Sequence, residues 1–161
     1  MNQDHPNAEL IKRFYEAFQK LDAETMAQCY AANIRFSDPV FTDLRGSDAA
    51  SMWRMLCSRA MDFSLTFDGI SADNRYGRAH WIASYTFSQT GRRIVNHIDA
   101  EFEFEDGKII HHTDRFDLWK WARQALGFKG FLLGWSSLVQ NKIRHQAGRG
   151  LRTYIENQLK G

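Results

Sequence analysis

Phe63-Ser64-Leu65-Thr66-Phe67-Asp68 is the stretch at which the chain changes its period. Phe63, Leu65 and Phe67 alternate with Ser64, Thr66 and Asp68, the pattern of a strand with one face buried. The alternation continues downstream in Trp81, Ala83, Tyr85 and Phe87. Turn chemistry punctuates it at Ala72–Gly77, at Thr90-Gly91-Arg92 and at Glu105-Asp106-Gly107-Lys108. Strands are predicted over 63–70, 78–89, 93–105 and 108–119. Neighbours joined by tight turns must run antiparallel.

Upstream the spacing is helical. Leu10, Ile11, Phe14, Phe18 and Leu21 fall on one face of a first helix, with Asn7 as its N-cap candidate. A second helix starts at Asp22, carries Met26, Cys29 and Tyr30 on one face, and ends near Asn33. Ile34 to Ser37 then reads as a short strand that Asp38-Pro39 stops, because the residue before proline is driven out of helix. A third helix from Ser47 or Asp48 buries Met52, Trp53, Leu56 and Ala60. Helices first and a meander afterwards imply an α+β fold, a curved antiparallel sheet wrapped around the N-terminal helices and enclosing a conical space.

The 161 residues divide by charge. Residues 1–119 carry a net −5 and residues 120–161 a net +7. The first span is expected to hold the domain proper, and the second a helical extension of it that docks on a body or meets an anionic surface. In the extension Leu132, Trp135, Leu138, Val139 and Ile143 form one apolar face, and Leu151, Tyr154, Ile155 and Leu159 continue it. Gly148 and Gly150 are expected to split it into two helices. No segment reaches the length of a membrane span, and the polar start Met1-Asn2-Gln3-Asp4-His5-Pro6 lacks a signal-peptide pattern. Cys29 and Cys57 read as buried hydrophobes of a cytoplasmic protein.

Two short stretches carry the chemistry: Phe36-Ser37-Asp38-Pro39-Val40 and Asn96-His97-Ile98-Asp99. Each sets a carboxylate among apolar or aromatic residues. Two carboxyl groups in one apolar cavity push their pKa values apart, so that one serves as a base and the other as a hydrogen-bond donor. Asp38 could also simply cap the turn before Pro39. Asp99 has the parity of Glu101 and Glu103, which points outward; a β-bulge near Ala100 is expected to turn it to the face of Phe102 and Phe104. His97 shares the parity of Asp99 and could exchange a proton with it. By parity with Asp114, Phe116 and Leu118, His112 faces the cavity while His111 does not. His97, Asp99 and His112 could compose a metal site in principle, but no tight ligand spacing supports one and none is expected.

The order of these motifs resembles the nuclear transport factor 2-like superfamily, in its ketosteroid isomerase and polyketide cyclase (SnoaL-like) branch. The resemblance spans about residues 7–119 and rests on Phe14-Tyr15-Glu16-Ala17-Phe18, Phe36-Ser37-Asp38-Pro39-Val40, Ile98-Asp99 and Asp106-Gly107-Lys108-Ile109. It implies the cystatin-like cone, Asp38 as proton-shuttling base and Asp99 as the donor to an oxyanion, a carboxylic acid kept neutral by an apolar site. The family's oxyanion tyrosine falls on Phe14, with Tyr15 about 100° round the helix and Tyr30 on the next. The limonene-type epoxide hydrolases of the same superfamily use an Asp-Arg-Asp set. Its positions here hold Asp99, His97 and Asp114, while the family's tyrosine and asparagine fall on Phe36 and Asp38.

The expectation is an acid–base enzyme without a cofactor, an isomerase or cyclase acting on a small apolar carbonyl compound. Asp38, Asp99, His97 and His112 would do the chemistry. Asp114 would activate water in the epoxide hydrolase alternative. Tyr30, Trp53, Phe63, Trp81, Tyr85, Phe102 and Phe116 would join Phe14 and Tyr15 in the pocket wall. A non-catalytic ligand-binding or dimerisation module is the alternative from another class. A homodimer through the outer face of the sheet, including His80 and Ile82, is implied by the resemblance. Nucleic acid is not expected, since acids dominate the body and no concentrated basic patch with interleaved aromatics occurs. A membrane partner is not expected either, with surface association through Trp135 and its leucines as the minority reading.

Overall fold

The computed structural model describes all residues, Met1–Gly161. Three helices come first: α1 (Pro6–Gln19), α2 (Ala23–Gln28) and, after strands β1 (Tyr30–Ser37) and β2 (Leu44–Arg45), α3 (Ser47–Arg59). The meander follows as β3 (Ser64–Ala72), β4 (Tyr76–Phe87), β5 (Arg92–Glu105) and β6 (Lys108–Arg115). Helices α4 (Leu118–Leu126), α5 (Phe128–Leu133) and α6 (Ser137–Lys160) close the chain.

The strands form one open six-stranded sheet in the order β2-β1-β6-β5-β4-β3. All neighbours pair antiparallel except β1 and β6, which run parallel. The meander follows from local turn chemistry. Asp106 and Gly107 both take positive φ, 51° and 73°, as the tight β5–β6 hairpin requires. The inner face carries Leu65, Trp81, Ala83, Ile98 and Phe102, against which α1 sets Ile11, Phe14, Tyr15 and Phe18 at helical spacing. Gly77 lets β4 approach this helix: a Cβ there would lie 2.8 Å from the Ile11 side chain and 2.8 Å from Phe104.

Several boundaries differ from the sequence reading. The cap of α1 is His5, whose ring accepts the Asn7 N–H, with Pro6 in the first turn; Asn7 lies inside the helix and its amide donates to the Asp73 carbonyl. The second helix stops at Gln28, so Tyr30 opens β1 and is not on α2. Tyr30, Ile34 and Phe36 are buried with even parity, and burial of the Tyr30 hydroxyl in a network outweighs the helical spacing. In α3 Leu56 is partly exposed. The last strand ends at Arg115, since the Asp117 side chain caps α4 by accepting the Lys120 N–H.

The extension is three helices, and its breaks fall at Gly127 and Gly134. Helix α6 runs unbroken through Gly148 and Gly150. The helix-interior glycine cost is about 1 kcal/mol each, and Leu151, Ala147, Tyr154 and Ile155 offset it by packing on the main core cluster. Helix α4 is pinned to β5 by Arg92 donating to the Gln124 carbonyl and Val95 N–H donating to the Gln124 side chain. No helix is long and apolar enough to cross a membrane.

Candidate active site

A cavity of about 630 Å³ opens between the inner face of the sheet, α3 and the C-terminal helices. Of its 32 lining residues 21 are hydrophobic, which suits a small apolar ligand oriented by a few polar groups. Trp53, Phe63, Trp81, Tyr85 and Phe116, all read from sequence as wall residues, line it. Phe14, Tyr15, Tyr30 and Phe102 do not; they are buried in the core behind that wall. From the extension come Trp121, Leu133, Val139 and Ile143.

Asp38 stands where β1 ends. Pro39 cannot continue the ladder, and the chain turns back so that the Asp38 N–H donates to the Phe41 carbonyl. The carboxyl Oδ1 accepts the Val40 and Phe41 N–H groups at 2.7 and 2.6 Å. The turn-capping role and the cavity-lining role therefore coexist, with Oδ2 left out of the turn. Helix α6 holds this loop from outside through Arg144, whose guanidinium donates to the Pro39 carbonyl at 2.8 Å. Burial pushes the Asp38 carboxyl up to about 7; the charge on Asp114 adds to the rise, and the two backbone N–H groups oppose it.

Asp114 is the second carboxylate of the cavity. Its Oδ1 faces His112 Nε2 at 2.9 Å and accepts from Trp81 Nε1 at 3.4 Å. His112 Nδ1 lies 2.7 Å from the Tyr30 hydroxyl, which accepts from Trp53 Nε1 at 2.8 Å. The indole can only donate, so one proton order leaves no member idle: Tyr30 O–H donates to Nδ1, and Nε2–H donates to Asp114. His112 is thus held as one tautomer by a buried chain. Burial raises the Tyr30 phenol well above its ordinary range and keeps it a donor.

Tyr85, read from sequence only as wall, is also a polar group of the site. Its hydroxyl accepts from Trp121 Nε1 at 2.8 Å, and burial, with the charge of Asp38 nearby, raises its pKa. The Tyr85–Trp121 bond joins the sheet to α4 and had no signal in the separate readings of strand and tail. Asn96 adds an amide to the lining. Tyr15 is fully buried, and its hydroxyl has no partner. Cys29 and Cys57 are buried, unpaired thiols outside the cavity, and burial raises both.

Asp99 is not in this site. It projects from the outer face of β5, exposed, with its Oδ1 2.8 Å from His80 Nδ1. His97 is exposed on the same face, its ring 5.8 Å from that of His80. The expected bulge near Ala100 does not occur: β4 and β5 stay in register through His80–Asp99 and Ala79–Ala100. The irregularity of β5 falls between Glu103 and Phe104, too late to turn Asp99 inward. The pairing of Asp38 with Asp99 is therefore replaced by Asp38 with Asp114. His97 and Asp99 lie across the sheet from His112, which separates the three groups of the conceivable metal set. The same separation removes Asp99 and His97 from the epoxide hydrolase arrangement, leaving Asp114 alone.

A family profile described as "SnoaL-like domain" matches residues 11–112. No curated protein sequence matches significantly. Among solved structures, TsrD from Streptomyces laurentii is 24% identical, with a TM-score of 0.64 over 74% of this chain and 94% of that one. An epoxide hydrolase from M. tuberculosis, described as LEH-like, is 22% identical, with a TM-score of 0.62 over 83% of this chain and 95% of that one. A polyketide cyclase assigned as putative from Xanthomonas campestris pv. campestris is 20% identical, with a TM-score of 0.64 over 74% of this chain and 96% of that one. At these identities the structures speak for the fold, and the profile speaks for the family. The meander, the helices against its inner face and the match over 11–112 agree: the chain belongs to the SnoaL-like family.

Proposed function

We propose that the cavity is the active site of an isomerase or cyclase that moves a proton on a small, largely apolar carbonyl compound. The observation that carries this reading is Asp38: one oxygen fixed by two backbone N–H groups, the carboxyl at the cavity wall, and a pKa of about 7. A base poised near neutrality is half-available and strong enough to take a proton from carbon next to a carbonyl. Oδ2 would accept that proton, and the electron pair would move to the carbonyl oxygen.

The Tyr85 hydroxyl would donate to the resulting oxyanion. It accepts from Trp121, so its own proton is free for the cavity, and its raised pKa keeps that proton in place. Asp38 would return the proton to another carbon in an isomerisation; in a cyclisation the carbanion would attack a second carbonyl. His112 and Tyr30 act here as positioning residues that orient Asp114. The aromatic wall would exclude water. The reading includes a homodimer formed through the outer face of the sheet and a cytoplasmic setting for the two buried thiols; light scattering on the eluting protein tests the first.

Hydrogen–deuterium exchange into small enolisable ketones tests the reading without knowledge of the natural product. The wild type should accelerate exchange with a rate that climbs through about pH 7. The loss in Asp38→Asn should be roughly 10²- to 10⁴-fold, and in Tyr85→Phe about 10²- to 10³-fold. Exchange by Asp38→Asn at the wild-type rate would remove the assignment.

A further inference from the structure

The C-terminal helices leave an apolar surface uncovered. In sequence Leu132, Trp135, Leu138, Val139 and Ile143 read as one face. The fold divides them: Val139 and Ile143 turn to the cavity, while Phe128, Trp135 and Leu138 are 75%, 67% and 81% exposed. Phe131, Leu132 and Leu133 are about half exposed beside them. Such large apolar side chains crowded within eleven positions are not scattered surface residues, and a patch of this kind marks a docking surface.

The charge around this surface names its occupant. A cleft of about 580 Å³ is lined by Arg92, Lys120 and Arg123 together with Phe128 and Phe131. None of the three cations forms an ion pair with a carboxylate. Arg123 lies over the rings of Trp119 and Phe131, 5.2 and 5.4 Å from their centroids, which joins the cations to the exposed apolar residues. The whole span 120–161 carries +7. Cations unmatched by any acid, beside aromatic and aliphatic side chains held in the open, match an anionic phospholipid surface. A second copy docked by the same face would set these cations against their own counterparts, which charge repulsion disfavours. Nucleic acid would engage the cations and leave Leu132, Leu133 and Leu138 in water.

We propose that residues 118–138 dock onto an anionic membrane surface, with Phe128, Trp135 and Leu138 entering the interface and the Arg92–Lys120–Arg123 cleft taking a lipid phosphate. Leu133 belongs both to this surface and to the cavity lining, as does Lys129 at its edge. Docking therefore sets the cavity rim against lipid, the phase from which an apolar ligand enters. The inference stands whether or not the cavity is catalytic.

Flotation of the full chain with vesicles tests it, using phosphatidylcholine alone and equal parts phosphatidylcholine and phosphatidylglycerol, at low and high salt. The chain should float with the anionic vesicles at low salt and be released at high salt. Lys120→Glu with Arg123→Glu should lower partitioning by more than tenfold, since each basic residue near such a surface is worth about fivefold in affinity. Trp135→Ser with Leu138→Ser, both at exposed positions, should lower it as well with helix content unchanged. Absence of flotation at low salt overturns the proposal. So does equal flotation on both vesicle types, an oligomer that the Trp135→Ser, Leu138→Ser variant disperses while flotation persists, or retention by duplex DNA without flotation.

Discussion

The sheet carries an aspartate–histidine pair on each of its faces. On the inner face His112 and Asp114 meet at 2.9 Å with side chains 0% and 2% exposed. On the outer face His80 and Asp99 meet at 2.8 Å with side chains 33% and 80% exposed. The residue types are the same and the distances differ by 0.1 Å, so what differs in their roles comes chiefly from surroundings. Outside, water solvates both groups, and holding two side chains together costs entropy that the weak attraction barely offsets. Inside, besides each other, His112 has the Tyr30 hydroxyl and Asp114 the Trp81 indole, and losing either bond would strand a buried polar group. A catalytic reading assigned by residue type alone would choose either pair; burial chooses the inner one.

The largest effect should come from breaking that inner pair. Asp114→Ala leaves His112 Nε2–H and the Trp81 indole without their acceptor, and at about 1–3 kcal/mol for each stranded donor a destabilisation of about 2–6 kcal/mol in denaturant unfolding is expected. A loss below about 1 kcal/mol would erase the distinction between the two faces.

Next comes the pH dependence that Asp38 imposes. Its folded pKa of about 7 lies above the unfolded value, so the native state keeps a proton that the unfolded chain has released. The stabilisation is complete below about pH 4 and is lost as the pH rises through 7. Each unit of difference is about 1.4 kcal/mol, so a few kcal/mol should disappear over this window. Asp38→Asn keeps an oxygen to accept from Val40 and Phe41, and it should flatten the curve and exceed the wild type in stability above pH 7. An unchanged slope in that variant would mean that another group carries the dependence.

The smallest effect belongs to the outer pair. Asp99→Ala should cost less than about 1 kcal/mol. A larger cost that grows on dilution would place Asp99 in a subunit interface and sharpen the comparison, since the outer pair would then also be buried.

Much of this architecture was legible because its signals are local. The period-two runs from Phe63 to Phe87, the turns at Gly91 and Gly107, and the Asp22 cap depend on neighbours in sequence, and all recur in the structure. Strand parity turned His112 and Asp114 inward together, but only Asp114 lines the cavity, while His112 is buried behind it. The misreadings share a cause, for each needed a contact between distant segments. Asp99 required a bulge that the β4–β5 register does not contain. Tyr30 had helical spacing to Met26, and its place was decided by Trp53 and His112. Gly148 and Gly150 resemble helix breakers until Leu151 is seen against the core. The Tyr85–Trp121 bond and the grip of Arg144 on the Asp38 loop join segments 36 and 105 positions apart, with no pattern in the chain to announce them.

The central claim is that the Asp38 carboxyl, buried in the wall of a largely apolar cavity that Asp114 also lines, is poised as a base near neutrality. Carbon-13 NMR of the labelled aspartate carboxyls, with Asp38 assigned by its absence in Asp38→Asn, reads this directly. A titration midpoint near 7 is expected. A midpoint near the ordinary aspartate value of about 3.9 would place Asp38 in water and contradict the account.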